Sequence, residues 1–273
     1  MDVATLFGLL IGLGLITLGM LDDSFSIPHA FLNWNAMAIV LGGTLSATLI
    51  NYPFKKFLGL LKVTGKAFTK HEMESIKIIN QLSGYSKIVR EKGILELENH
   101  IPNMINRFMQ TGVEMALVEK DGEKLERFLR SEMTNMIIRH RNGQEMFYNM
   151  GSYAPAFGLL GTVMGLILMM TQQGQVTGIA TFAQDTQAMM TSLLSGMGRA
   201  LVTTFYGVLL ANLVFIPIGG KLKIRSDEEV FINEIILTGI LSIHAKEHPL
   251  LMEEKLLTFI PKIDKDSLKK HGR

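Results

Sequence analysis

Cysteine is absent from the 273 residues, which removes disulfides, thiolate zinc sites and thiol nucleophiles together. Tryptophan occurs once, at Trp34, and no alternating apolar–polar run is long enough for a half-buried strand. Charge is scarce too, and the scarcity is local. Residues 51–153 carry sixteen basic and twelve acidic side chains, and residues 219–273 carry ten and nine. Everything else holds only Arg199, Asp2, Asp22, Asp23 and Asp185. With 48% hydrophobic residues and a mean hydropathy of +0.27, this sorting excludes an ordinary water-soluble globule. The chain instead alternates between lipid and water. A net charge of +2 offers no concentrated basic face for nucleic acid.

Four apolar stretches occupy the charge-poor parts: Val3–Leu21, Ala30–Ile50, Ala154–Thr171 and roughly Arg199–Ile218. A hydrocarbon core of about 30 Å needs roughly 20 apolar residues in a helix, so the expectation is four transmembrane helices. The first stretch has no basic residue before it and a long apolar run, which argues against a cleaved signal peptide. Asp22–His29 and Gln172–Gly198 lack Lys and Arg, whereas Lys55, Lys56, Lys62, Lys66 and Lys70 follow the second stretch. Arg139 and Arg141 precede the third; Lys221, Lys223 and Arg225 follow the fourth. Positive flanks mark the cytoplasmic side. Both termini, the loop 51–153 and the tail are therefore expected in the cytoplasm, with Trp34 at the outer interface.

The charged parts read as helical. Leu125, Phe128, Leu129, Met133, Met136 and Ile137 recur at three- and four-residue spacing. Ile101, Met104, Ile105, Phe108 and Met109 form a second stripe, and Ile232, Ile235, Ile236 and Ile240 a third. Such faces are expected to pack together as a helical domain. The fold class is thus all-α: a polytopic membrane protein with a helical cytoplasmic domain. Its expected parts are 1–50 (helices 1 and 2), 51–153 (cytoplasmic), 154–218 (helices 3 and 4) and 219–273 (tail).

No enzyme motif is found. There is no Walker A loop, and Gly196–Met197–Gly198 lacks the third glycine and preceding strand of a dinucleotide fingerprint. His244 and His248, four apart, could share a helix face, but no zinc-protease glutamate accompanies them. No cofactor and no metal site is expected.

The last two apolar stretches carry a more specific pattern. Pro155, Gly158, Thr162, Gly165 and Met169 fall on one helical face, and Ala200, Thr204, Gly207 and Ala211 on another. Small residues let membrane helices approach closely and hydroxyls offer polar contact inside lipid. Ordinary packing, with hydroxyls bonded to their own helix, and a pore-lining role both fit this spacing. The middles of these helices contain no Asp, Glu, His or Lys. Ion-coupled membrane proteins place an ionisable group in the bilayer, so if ions move here, another subunit brings the acid.

Ser152–Met170 (SYAPAFGLLGTVMGLILMM) and Ala200–Lys221 (ALVTTFYGVLLANLVFIPIGGK) resemble the A subunit of bacterial flagellar stators, the MotA/PomA family. Arg90–Glu98 (REKGILELE) resembles that family's cytoplasmic torque segment. The resemblance spans nearly the whole chain. The paired threonine-containing helices alone are shared with TolQ and ExbB energisers of envelope or gliding systems, which gives an alternative function. A solute carrier is a third possibility, disfavoured by the lack of an inverted repeat or a broken helix pair.

The resemblance implies an ion-driven motor unit in the inner membrane, with five copies surrounding two B subunits. Each B subunit would bring a membrane carboxylate and a peptidoglycan-binding domain, and the cytoplasmic domain would push the rotor switch protein. Carried over by motif, Pro155 and Pro217 are the coupling prolines, which otherwise read as a helix start and a helix end. Arg90 and Glu98 are the charges that meet the rotor, and Thr162, Thr203 and Thr204 lie along the ion pathway. The coupling ion is sodium or a proton, with the hydroxyls favouring sodium. Arg199 departs from the family pattern and is a candidate to snorkel outward or to pair with Asp22 or Asp185.

Overall fold

The computed structural model describes residues 3–22, 25–28, 31–59, 65, 75–173 and 182–260. Arg199 lies in a helix, but its side chain, with the pairing considered for it, falls outside the described atoms. Among the described residues every regular element is helical. In chain order these are α1 (Val3–Gly19), α2 (Trp34–Asn51), α3 (Ser75–Lys92), a 3-10 segment (Ile94–Asn103), α4 (Arg107–Val118) and α5 (Gly122–Gln173). Then come α6 (Phe182–Leu209), a π-helical segment (Leu210–Phe215), α7 (Ile216–His244) and α8 (Pro249–Leu257). The all-α expectation holds.

Helix ends follow local chemistry. The Asn33 side chain accepts from the backbone N–H groups of Asn35 and Ala36 and starts α2. Asn106 does the same for α4 through Phe108 N at 2.7 Å, and Asp121 for α5 through Glu123 N at 3.0 Å. These are side-chain caps of otherwise unpaired N–H groups. α7 stops where Lys246 takes a positive φ of 55° and the Glu247 N–H reaches back to Ser242 O. That turn separates His244, the last residue of α7, from His248, the N-cap of α8. The two histidines therefore do not share a helix face.

The third and fourth apolar stretches are parts of longer helices. α5 runs 52 residues without interruption and carries Pro155 in its interior rather than at its start. Helix continues from Phe182 through the π segment into α7, and Pro217 is the second residue of α7 rather than a terminator. The π segment explains the tolerance. The Ile216 N–H already bonds five residues back, to Ala211 O, so the helix is wound loosely just where the next residue has no N–H. Among the described residues, two helical runs are long and apolar enough to cross a membrane, within Gly122–Thr171 and Leu193–His244. α1 and α2, of 17 and 18 residues, are shorter; at 1.5 Å per residue they reach about 26 Å.

The chain forms two compact units, with two of their three boundaries falling inside α5 and α7. One comprises His71–Arg141 and Ile224–Arg273. Its core joins Leu125, Leu129 and Met133 of α5 to Ile232, Ile235, Ile236 and Ile240 of α7, with Met104, Met109 and Leu97 in the same cluster. The three apolar stripes of the sequence do pack on one another. Phe128, Ile137 and Ile105 lie at their edges and are exposed. The other unit comprises Met1–Lys70 and Asn142–Lys223, with a core of Val40, Phe147, Met150, Ala154, Val202, Tyr206 and Phe215 among others. Its rim is apolar and exposed, including Leu15, Leu159, Leu168, Met170 and Leu201. Large exposed apolar surface of that kind is characteristic of a membrane or protein contact.

Candidate functional site

The two small-residue faces read from the sequence meet in the unit formed by Met1–Lys70 and Asn142–Lys223. A Cβ on Gly158 would stand 3.0 Å from Thr203 O and 3.2 Å from Thr204 Cα, and one on Gly165 would stand 3.0 Å from the Ala200 Cβ. A Cβ on Gly207 would stand 3.1 Å from both Gly158 Cα and Pro155 Cα. α5 and α6 therefore touch backbone to backbone over three turns, which only small residues permit. Gly161, which the sequence pattern did not mark, belongs to the same face: its Cβ would stand 2.8 Å from the Thr203 Cβ.

Three hydroxyls sit in this contact. Thr162 Oγ1 of α5 lies 2.5 Å from Thr204 Oγ1 and 3.4 Å from Thr203 Oγ1 of α6. Thr203, 4% exposed, donates to Ala200 O at 2.6 Å. Thr162 has one proton and two carbonyl acceptors, Gly158 O at 3.1 Å on its own helix and Ala200 O at 2.9 Å on the other. With Thr204 donating to Thr162, every hydroxyl proton is used and lone pairs are left over. The cluster can thus accept from water or coordinate a cation weakly, and Thr162 can switch its donation between helices. The fourth apolar stretch begins near Arg199, but α6 starts at Phe182, so Thr204 lies well inside the helix rather than near its start. From Ala154 to Gln173 and from Ala200 to Gly220 there is no Asp, Glu, His, Lys or Arg.

Sequence reasoning missed the polar ties around this contact. The Tyr206 hydroxyl, two residues past Thr204, donates to Phe31 O and accepts from Asn33 N, pinning the approach to α2. Thr44 and Thr48 of α2 are fully buried and bond back to Val40 O and Thr44 O of their own helix. At the far end of α2, Asn149 donates to the Tyr52 hydroxyl at 2.6 Å and Asn51 to the Tyr153 hydroxyl at 3.2 Å. A tyrosine two residues past the Thr203–Thr204 pair in an apolar stretch was the available signal, since a buried phenol needs a partner.

Arg90 and Glu98 lie in the other unit. Arg90 is exposed in the last turn of α3, and Glu98 is exposed in the middle of the 3-10 segment. Gly93, with φ of 89°, makes the reversal between them, a backbone state open to glycine. Leu97, 1% exposed, anchors the 3-10 segment in the core directly beside Glu98. Arg90 and Glu98 make no hydrogen bond or ion pair among the described residues, in contrast to Arg130. Its guanidinium is held above the ordinary arginine range by hydrogen bonding to Glu126, against partial burial and with help from Glu234. Of the histidines, His244 contacts Glu119 O at 2.8 Å and His248 caps α8. Among the described residues no cluster could hold a metal ion.

A sequence model of the MotA/TolQ/ExbB proton channel family matches residues 100–234. Motility protein A of Treponema pallidum is 32% identical over 97% of this chain and 97% of its own length. Chemotaxis protein PomA of Vibrio alginolyticus is 30% identical over 95% of this chain and 96% of its own. Among solved structures, the flagellar MotAB stator complex of Bacillus subtilis superposes with a TM-score of 0.81 at 27% identity, covering 97% of both chains.

Proposed function

The chain belongs to the MotA/PomA family of flagellar stator subunits, and on that premise we propose how it converts ion flow into rotor rotation. The full-length relatives carry motility and chemotaxis names, which favours a stator over an envelope energiser of the TolQ/ExbB kind. One observation carries the mechanism: a tight α5–α6 contact that offers hydroxyls at Thr162, Thr203 and Thr204 but no ionisable group. Such a contact can pass or steady an ion, yet it cannot hold the charge that makes transport responsive to a gradient. The missing carboxylate comes from a B subunit, the partner named in the Bacillus stator complex.

In the assembly we propose, five copies of the chain surround two B subunits in the inner membrane. In this reading four helices span the bilayer and both termini face the cytoplasm, the orientation that the basic flanks of the apolar stretches favour. Ion arrival neutralises the B carboxylate and changes how the B helix sits against α5 and α6. The ring steps, Pro155 and Pro217 relay the movement, and Arg90 and Glu98 push on the rotor switch protein. Sodium is the proposed ion, because a metal ion must replace its hydration shell with several oxygens and the threonines supply them.

The test is soft-agar swimming of a strain deleted for this gene and complemented with it. Loss of swimming with flagella still assembled is the expected result. Normal swimming in the deletion, with an envelope defect instead, would reject the stator in favour of the energiser.

A further inference from the structure

Between α3 and the 3-10 segment lies a polar clamp whose members belong neither to the ion pathway nor to the exposed charges. The Gln81 amide nitrogen donates to the Tyr85 hydroxyl at 2.8 Å, one turn along α3, and to the Asn103 carbonyl at 3.2 Å, the last residue of the 3-10 segment. Tyr85 is 7% exposed, and its ring lies against that of His100 with centroids 5.9 Å apart. The Gln81 Oε1 is buried without a hydrogen-bond partner. Turning the amide over would let the Tyr85 hydroxyl donate to Oε1, but it would set that oxygen against the Asn103 carbonyl and break the tie between the two elements. The side chain is therefore held in the one orientation that ties α3 to Asn103, at the cost of an unpaired buried oxygen.

The location gives the clamp its meaning. A 3-10 segment of ten residues is long for a geometry with poor hydrogen bonds, and it contains Pro102, which donates none. It needs support from side chains. Leu97 supports it from the core, and Gln81 with Tyr85 supports it at His100 and Asn103. Glu98 stands between these two supports, and Arg90 stands on the helix that carries the clamp.

We propose that Gln81 and Tyr85 are positioning residues for the torque surface: they lock Ile94–Asn103 onto α3, so that Glu98 is presented at a fixed place relative to Arg90. The proposal rests on Arg90 and Glu98 being the rotor-facing charges. A push transmitted through a loose segment would be spent in moving the segment, so the clamp converts a pair of surface charges into a rigid contact.

The test has a structural arm and a motor arm, both on the assembled stator. In the structural arm, Gln81→Leu should speed amide hydrogen exchange of residues 94–103 at least tenfold and leave 107–118 unchanged. Unchanged exchange in 94–103 would overturn the clamp. In the motor arm, single-motor torque is measured at equal stator occupancy for Gln81→Leu and Tyr85→Phe, each alone and with Glu98→Gln. Torque should fall severalfold in Gln81→Leu and less in Tyr85→Phe, which keeps the ring on His100. Neither should lower torque further once Glu98 is Gln. An equal loss in both backgrounds, or full torque despite faster exchange, would overturn the positioning role. If Gln81→Leu lowers occupancy, Tyr85→Phe alone decides the motor arm. A Glu98→Gln stator with full torque would reject the rotor contact itself, while the exchange arm still reports on the clamp.

Discussion

Gly207 of α6 lies so close to Pro155 of α5 that a Cβ on the glycine would stand 3.1 Å from the proline Cα and 2.6 Å from the carbonyl oxygen of Ala154. The contact is backbone on backbone, so no side chain can rotate away to make room. It places a residue that lacks an N–H beside one that lacks a side chain, at the end of the face where Thr162 and Thr204 meet. Helix separation here is fixed by hard contact.

Gly207→Ala is therefore expected to force α5 and α6 apart and to destabilise the assembled complex, by about 1–3 kcal/mol as for other overpacked sites. Gly84→Ala is the control. Gly84 sits inside α3 with nothing within 4 Å of its Cβ position, so alanine should stabilise by about 0.5–1 kcal/mol through helix propensity. Thermal unfolding of the detergent-purified complex checks both, and equal melting of the two variants would contradict the packing argument.

Thr162→Val keeps the shape of the side chain and removes the hydroxyl that bridges the helices. One lost hydrogen bond costs about 0.5–1.5 kcal/mol, too little to prevent assembly. Swimming should nevertheless fall severalfold, and Thr162→Ser should restore most of it. Swim rings together with membrane immunoblots would show it; a Val variant that swims normally would make Thr162 a packing residue.

Charge reversal tests the exposed pair. Arg90→Glu and Glu98→Lys remove no described hydrogen bond or ion pair and disturb no core residue, so folding and membrane insertion should be unaffected. Charges of this kind orient and steer an interface more than they hold it together. Motility should drop in each variant at normal stator abundance. Loss of the protein itself in both would point to a structural role.

These expectations were legible in the sequence to different degrees. The stripes at Leu125–Ile137 and Ile232–Ile240 announced the core, because burial imposes the 3.6-residue period directly. The α5 and α6 faces were legible because glycine and threonine in an apolar stretch stand out. The helix boundaries were not. Hydropathy ends where charge begins, but the helix continues through both, so Pro155 and Pro217 read as termini when they lie within continuous helix. Nor was the Tyr206 tie to Phe31 and Asn33 legible, since 173 residues separate Tyr206 from Asn33 and no local period records such a contact.

Pro155→Ala and Pro217→Ala now have a clearer expected result. Pro155 leaves the carbonyl four residues back, that of Gly151, without its intrahelical donor, and Gly151 packs directly on Ile216. Pro217 follows the π segment at Ile216. Alanine at either site restores a backbone N–H, and at Pro155, inside α5, it removes a helix-interior penalty of about 3 kcal/mol. Both variants should assemble at least as well as the parent and swim poorly. Wild-type swimming in both would remove the prolines from coupling.

The proposal of sodium rather than proton coupling rests on the oxygens. A proton needs only a carboxylate and water, whereas sodium must exchange its water shell for several fixed oxygens. Thr203 and Thr204 bring two hydroxyl oxygens within 3.4 Å of the Thr162 hydroxyl, beside the carbonyls of Gly158 and Ala200. Since each hydroxyl proton already has an acceptor, it is lone pairs that remain on offer, the polarity a cation requires. Swimming speed should therefore rise with external sodium at fixed pH and saturate, and Thr204→Val should shift that dependence to higher sodium. Proton coupling would show the opposite dependence, with speed unchanged in sodium-free medium and falling as the proton gradient is collapsed.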